Sequence, residues 1–347
     1  MEEKILFQCD YNEGAHPRIM ERLLATNMEQ TPGYGEDMYC KSAADKIRGL
    51  CGNDSLAVHF LTGGTQANLT VISAALRPHQ GVLCARTGHI NVHETGAVEA
   101  CGHKVLALPS EDGKIGADQV REVCIEHRDN ESFEHMVQPG MVYISNPTEL
   151  GTLYSLEELK GLYEVCQEFG IRLFLDGARL GYGLAALDNT LSLPSIARYT
   201  DVFYIGGTMV GALFGEAVVI KDEGLKKDFR YLIKQRGGML AKGRLLGLQF
   251  DELFTDDLYF DISARAIALA ERIREAIDRK GWPYLVQNRT NQIFPIVPDD
   301  ALGKLGERFG YSYDHRVDAP HSAVRFCTSW ATKEENVDAL VSAIKKL

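Results

Sequence analysis

No two cysteines in this chain are spaced as C-x-x-C, and no run of lysine or arginine occurs in its 347 residues. The eight cysteines (Cys9, Cys40, Cys51, Cys84, Cys101, Cys124, Cys166 and Cys327) are spread evenly. That spacing argues against a structural zinc site and against a disulfide framework. Acidic residues outnumber basic ones, 48 to 37, for a formal charge of −11. An acidic chain without a basic run is not expected to bind DNA, RNA or an anionic membrane. No stretch approaches the roughly 18 apolar residues that read as a membrane span. The opening segment MEEKILFQCD carries acids and no long apolar run, so it does not read as a secretory signal. The expectation is a soluble protein of a reducing cytoplasm.

What is present is ordinary for a globular protein: 45% hydrophobic and 24% charged residues. At roughly 150 residues per domain, the length predicts two domains, or one large α/β unit with a smaller companion. From about Ser55, short apolar runs alternate with helical patterns. Strands are predicted at Leu56–Leu61, Val82–Ala85, Lys104–Leu108, Met141–Ser145, Ile171–Leu175 and Val202–Ile205. Helices are predicted at Gln66–Leu76, from about Val92, at Asp118–His127, and from a capping box at Ser155 and Glu158 through Phe169. This alternation means βαβ units and a mostly parallel sheet, with ligands at the carboxyl ends of the strands. After about Phe250 the pattern changes to a long amphipathic helix over Asp261–Lys280. Short strands follow near Gln292–Val297 and Ala323–Cys327, then a closing helix capped from Thr332. Expected domains are therefore 16–250, and 251–347 together with 1–15 as a small α+β domain. No linker, repeat or low-complexity segment marks the boundary.

Three segments carry chemistry. TGGTQAN, Thr62 to Asn68, lies between a strand and a helix. Gly64 and Thr65 there can offer backbone N–H groups to a phosphate, with the helix dipole favouring the anion. A plain strand–helix turn explains the segment equally well. It has neither the GK[ST] of a P-loop nor a G-x-G-x-x-G fingerprint, which lowers ATP, GTP and NAD as ligands. Asp176 follows the strand IRLFL directly, where a carboxylate can hold a protonated ring nitrogen such as that of pyridoxal phosphate. Arg179, three residues on, can contact a carboxylate with two prongs. An Asp helix cap with a surface Arg is the plainer alternative. His89, His93 and Glu94 lie within six residues, and imidazole can stack on a cofactor or act as a base. Their order is not the H-E-x-x-H of zinc enzymes.

Taken in order, DYNEGAHPRI, GYGED, TGGTQAN, Gly88-His89-Ile90, SNPTEL, LDGAR, the GGT…GALFGEAVV segment and Arg325 resemble the threonine aldolase and β-eliminating lyase family. The resemblance spans nearly the whole chain. It implies a fold type I, pyridoxal-phosphate-dependent transferase-like α/β fold with a mostly parallel sheet. It implies pyridoxal 5′-phosphate held by Gly64, Thr65, Asp176 and Thr208, with His89 over its ring. Arg179 and Arg325 would hold the α-carboxylate of an amino-acid substrate. Tyr34 and the segment Lys234-Gln235-Arg236 would approach the site, from a neighbouring subunit of a homodimer or homotetramer. His89, or a water held by His93 or Glu94, would act as base. The activity implied is cleavage of threonine or allo-threonine to glycine and acetaldehyde.

One position departs from the pattern. Met209 stands where the family places its Schiff-base lysine, and a thioether cannot form that covalent bond. Lys221, at the far end of the next strand, is expected to be too distant to replace it. Two other functions stay open: a homologue, non-catalytic or impaired, that holds the cofactor or its amino-acid adduct, and another fold type I activity such as β-elimination or transamination.

Overall fold

The apolar runs of the first two-thirds of the chain assemble into one seven-stranded sheet in the computed structural model, which describes residues 4–347. Residues 1–3 of the segment expected to join the small domain lie outside the described residues. In chain order the strands are β1 (Ala57–Leu61), β2 (Gln80–Ala85), β3 (Lys104–Leu108), β4 (Gln138–Ser145), β5 (Arg172–Asp176), β6 (Val202–Gly206) and β7 (Glu216–Ile220). Their spatial order is β1-β7-β6-β5-β4-β2-β3. Strands β2 to β6 pair in parallel, and β7 runs antiparallel between β1 and β6.

Each central strand is apolar on both faces, as expected for a sheet covered on both sides. Val142, Ile144, Leu173, Leu175, Phe203 and Ile205 pack into one core. Their alternating neighbours Met141, Tyr143, Phe174, Val202 and Tyr204 pack into the other. The helix α1 (Gly64–Ala75) lies in the second core and α2 (Leu156–Phe169) in the first. The capping box of α2 forms as its sequence predicts. Glu158 N donates to Ser155 Oγ at 3.2 Å, and Ser155 N donates to Glu158 Oε2 at 2.7 Å.

A third core gathers Phe7, Phe309 and Phe326 around the second half of the long helix α3 (Leu258–Lys280). The first half of α3, with Leu258, Tyr259, Ile262 and Ala266, packs into the large-domain core instead. The helix is thus shared between two cores. Four strands of this part pair with one another: β8 (Gln292–Ile293), β9 (Ile296–Pro298), β10 (Ser312–Asp318) and β11 (His321–Cys327). Strand β11 pairs antiparallel with each of the other three. The closing helix α4 (Glu334–Lys346) packs against α3.

Two local expectations need correction. The helix expected from about Val92 is two short turns, His89–Val92 and Ala97–Ala100. Thr95 and Gly96 between them have φ of 54° and 71°, and a left-handed pair cannot continue a right-handed helix. Thr332 does not cap α4. Its hydroxyl oxygen accepts instead from Ser329 N at 2.8 Å, and the helix starts one residue later, after Lys333.

The ends of β5 and β6 converge closely. Gly206 N donates to Gly177 O at 2.8 Å. A Cβ on Gly206 would lie 2.0 Å from Ala178 O, and one on Gly177 2.0 Å from Tyr204 O. Backbone, not a movable side chain, occupies both spaces. Gly206→Ala is therefore expected to destabilise the protein by about 3 kcal/mol or more, at the upper end of overpacking costs. A thermal or denaturant melt checks this, and an unchanged midpoint would contradict the close approach.

Candidate active site

A cavity of about 160 Å³ opens where the parallel strands end. Each wall comes from a segment that follows or begins a strand. Gly64 and Thr65 follow β1, His89 follows β2, Glu149 follows β4, Asp176 ends β5, Met209 follows β6 and Glu216 begins β7. The antiparallel course of β7 explains the last of these. Glu216 pairs in register with Gly206 and Leu61, so it enters the sheet at the edge where the parallel strands finish. Lys221 leaves at the opposite edge, where its Nζ donates to Arg198 O at 2.6 Å and Tyr163 Oη at 3.2 Å. It has no route to the cavity.

Asp176 is 4% exposed. Its Oδ1 accepts from Ala178 N at 2.9 Å. Its Oδ2 accepts from Tyr143 Oη at 2.5 Å and from Asn68 Nδ2 at 3.1 Å. The helix that follows, Leu180–Ala185, takes no side-chain cap. The carboxylate is thus held in place by its neighbours and faces the cavity, and the plain cap reading does not apply.

Asn68 also donates to Glu94 Oε1 at 2.7 Å, and the same oxygen bonds His89 Nδ1 at 2.7 Å. The Glu94 side chain is fully buried. It orients His89 and does not reach the cavity. Burial works against charge on His89, but the Glu94 hydrogen bond and the carboxylates of Asp176 and Glu149 outweigh it and raise the imidazole pKa. His93 lies with its ring 5.5 Å from that of His89. Burial and the charges of His89 and Arg325 lower its pKa. It lines a neighbouring cavity, not this one.

Gly63 caps α1 with an extended backbone and no side-chain bond. No described residue accepts from the N–H of Gly64 or Thr65. These are free donors at a helix start, the arrangement that receives an anion.

Arg179 and Arg325 occupy different places. Arg179 lines the cavity and forms a two-pronged pair with Asp10, Nε to Oδ2 at 2.7 Å and Nη2 to Oδ1 at 2.8 Å. Burial opposes the guanidinium charge, but Asp10 outweighs it and raises the pKa. Arg325, on β11, lines the neighbouring cavity. It donates to Gln292 Oε1 at 3.0 Å and Gln8 O at 2.9 Å. Residues 8 to 10 therefore tie both arginines to one strap of chain. Tyr34 stands apart in a third cavity, half-exposed, with Lys234 Nζ 4.9 Å from its ring centre. In the same region Arg236 donates to Ser73 Oγ at 2.9 Å.

Met209 lines the cavity and also packs on the large core, and Tyr182 Oη donates to its carbonyl at 2.7 Å. No described lysine lines the cavity. Thr208 does not line it either. Its Oγ1 donates to Glu216 Oε1 at 2.8 Å. Burial and the nearby Asp176 push the Glu216 carboxyl up to about 8, against the opposing bond from Thr208.

Asn68, Tyr143, Glu149, Glu216 and Asp10 were not singled out from sequence. All but Tyr143 sit inside segments that were. A charged residue at the end of a buried apolar strand, as in GEAVVI or YISNPTEL, was the available signal.

An α/β enzyme fold with a polar cavity at the carboxyl ends of its parallel strands is the class defined here. Comparisons with known proteins agree. A family model for beta-eliminating lyases matches residues 9–297, and the chain belongs to that family. A low specificity L-threonine aldolase of a Pseudomonas species is 30% identical over 342 residues, covering 98% of this chain and 96% of that protein. Among solved structures, Leishmania major threonine aldolase superposes with a TM-score of 0.96 at 42% identity, covering 99% of each chain. An aspartate aminotransferase from Thermus thermophilus, at 16% identity, 99% and 91% coverage and a TM-score of 0.71, shares the fold.

Two predictions follow from this geometry. Asp10→Ala would leave Arg179 buried without its carboxylate, at a cost of about 3–5 kcal/mol. A lowered melting temperature, with Asp10→Asn intermediate, would show it. Glu216 ionises in the unfolded chain near 4.5 and in the folded chain at about 8. Its stabilising contribution is complete below the first value and is lost as pH rises through the second. Glu216→Gln should flatten the fall in stability between about pH 4.5 and 8, read from melts across that range. An unchanged slope would contradict it.

Proposed function

We propose that this chain is a pyridoxal-phosphate-dependent carbon–carbon lyase. It cleaves β-hydroxy-α-amino acids, threonine or allo-threonine among them, to glycine and an aldehyde. The observation that carries this reading is the convergence of three groups on one cavity: free N–H donors at the start of α1, the buried Asp176 carboxylate and the Glu94-held imidazole of His89. That donor set fits a phosphate at Gly64 and Thr65 and a protonated ring nitrogen at Asp176. The high similarity to threonine aldolases over almost the entire chain supports the substrate class.

When bound, the cofactor supplies a conjugated ring that accepts the electron pair released as Cα–Cβ breaks. The protein does the rest. Tyr143 and Asn68 hold Asp176 where its carboxylate would meet the ring nitrogen. His89, kept in register by Glu94, would cover the ring. Arg179, pre-aligned by Asp10, and Arg325 receive the substrate carboxylate from two sides. Thr208 keeps the 207–209 turn in place through Glu216. Tyr34, with Lys234 and Arg236, serves a neighbouring subunit of a homodimer or homotetramer. A cytoplasmic location is part of this proposal. Separately, no described helix is long and apolar enough to cross a membrane.

Met209 removes the amine that would tether the cofactor, so the phosphate donors and Asp176 must hold it without a covalent bond. Borohydride treatment of the protein with cofactor should therefore trap none of it on a lysine. Met209→Lys should make the cofactor reducible onto residue 209 and raise turnover of threonine by several orders of magnitude. If that variant binds cofactor covalently yet yields no glycine and acetaldehyde, the lyase reading fails. Asp176→Asn should weaken cofactor binding in either background, measured by absorbance titration. Unchanged affinity would remove Asp176 from the site.

A further inference from the structure

A second cavity of about 520 Å³ adjoins the first, between the loop after β2 and the strands β10 and β11. Arg86, His93, Phe294, Tyr313 and Arg325 line it. Among the described residues Glu149 alone lines both cavities. We propose that Glu149 is the base that takes the proton from the substrate's β-hydroxyl, an inference that rests on the lyase reading above.

The topology of the reaction places that hydroxyl. The bond that breaks joins Cα to Cβ. Cα must lie in the first cavity, beside Asp176 and His89. The first cavity is small and has the cofactor to house. The substituent on Cβ extends into the larger neighbour, against Tyr313, Phe294 and Val92. The β-hydroxyl then sits at the seam between the two, and Glu149 is the group there.

Its carboxyl is prepared for the task. Oε1 accepts from His89 N at 2.8 Å and Ser145 Oγ at 2.7 Å, which orients the side chain. No other described residue donates to Oε2. Burial raises the carboxyl pKa, and Asp176 adds to this. That makes it a stronger base than an exposed carboxylate. The other candidates each face one cavity or none. His89 lines the first, with Nδ1 committed to Glu94. His93 lines the second. Glu94 is sealed beneath His89.

The hydroxyl O–H bond breaks and its proton passes to Glu149. The oxygen lone pair forms the aldehyde C=O as Cα–Cβ breaks. The released pair stays with Cα, where bound pyridoxal phosphate would supply the electron sink. A proton then adds at Cα to give glycine, which balances the proton taken by Glu149.

The test uses the full chain with pyridoxal phosphate and threonine, followed as single-turnover glycine formation. Glu149→Gln keeps an acceptor for His89 N and Ser145 but cannot take a proton. Glycine formation should fall by about 100-fold or more, and Glu149→Asp should recover part of the loss. Glycine lacks the β-hydroxyl. Its affinity for the cofactor-loaded Glu149→Gln chain, measured by calorimetry, should stay within about threefold of the unsubstituted chain. Cleavage that persists in Glu149→Gln overturns the proposal for Glu149 alone. So does a parallel loss of glycine affinity and melting temperature, which would mark a structural role. Absence of cleavage by the unsubstituted chain overturns the lyase reading, and Glu149 with it.

Discussion

A carboxylate buried at the end of a central strand is costly unless its oxygens are satisfied, and Asp176 organises its surroundings for that reason. Tyr143 and Asn68 donate to it from β4 and α1. Asn68 reaches on to Glu94, and Glu94 to His89. From the other side Ser145 Oγ lies 3.3 Å from Tyr143 Oη and donates to Glu149, whose Oε1 also receives the His89 N–H. Seven residues close into a ring of contacts, hydrogen-bonded at every link except Ser145–Tyr143, whose single hydroxyl protons go to Glu149 and Asp176. Burial and the neighbouring Asp176 hold the Tyr143 hydroxyl protonated, so it stays a donor. No member of the ring can move far without stranding a buried polar group, which is what keeps a catalytic constellation in register.

Sheet order does the second part of the work. Because β7 alone runs antiparallel in this sheet, Glu216 joins the edge where the parallel strands finish and Lys221 is carried away from it. The crossing of Gly177 and Gly206 draws the Asp176 turn against the 207–209 turn, so the residue at 209 faces the cavity. A chain with these features keeps an ordered pocket even with a thioether at that position. The proposed phosphate donors, ring-nitrogen partner and carboxylate receptors are all groups other than residue 209.

The two cores meet through α3, whose halves pack in different clusters, and through the strap of residues 8 to 10. Asp10 aligns Arg179 on the large sheet, and Gln8 O receives Arg325 from the small one. The placement of the two arginines, proposed to receive the substrate carboxylate, is therefore set by the relative placement of the two parts. A shift at α3 would be felt there.

Apolar runs and cap residues are local signals, and they were enough for the parallel sheet, the capping box at Ser155 and the long helix, expected from Asp261 and found from Leu258. TGGTQAN and LDGAR could be assigned to strand ends because the runs before them are unmistakably buried strands. Met209 was equally visible, as a departure from an ordered set of motifs. Thr332 and the Thr95–Gly96 break were misread because a hydroxyl's partner and a left-handed turn depend on neighbours that propensity does not register. Asp10 beside Arg179, Asn68 between Glu94 and Asp176, and Glu149 at the seam of two cavities lie 26 to 169 residues from the groups they serve. Sequence spacing carries no information across such separations. The sequence alone determined which strands are buried and which segments end them. Only the tertiary structure decided which of those ends meet, because that is set by strand order and by the need of each buried charge for a partner.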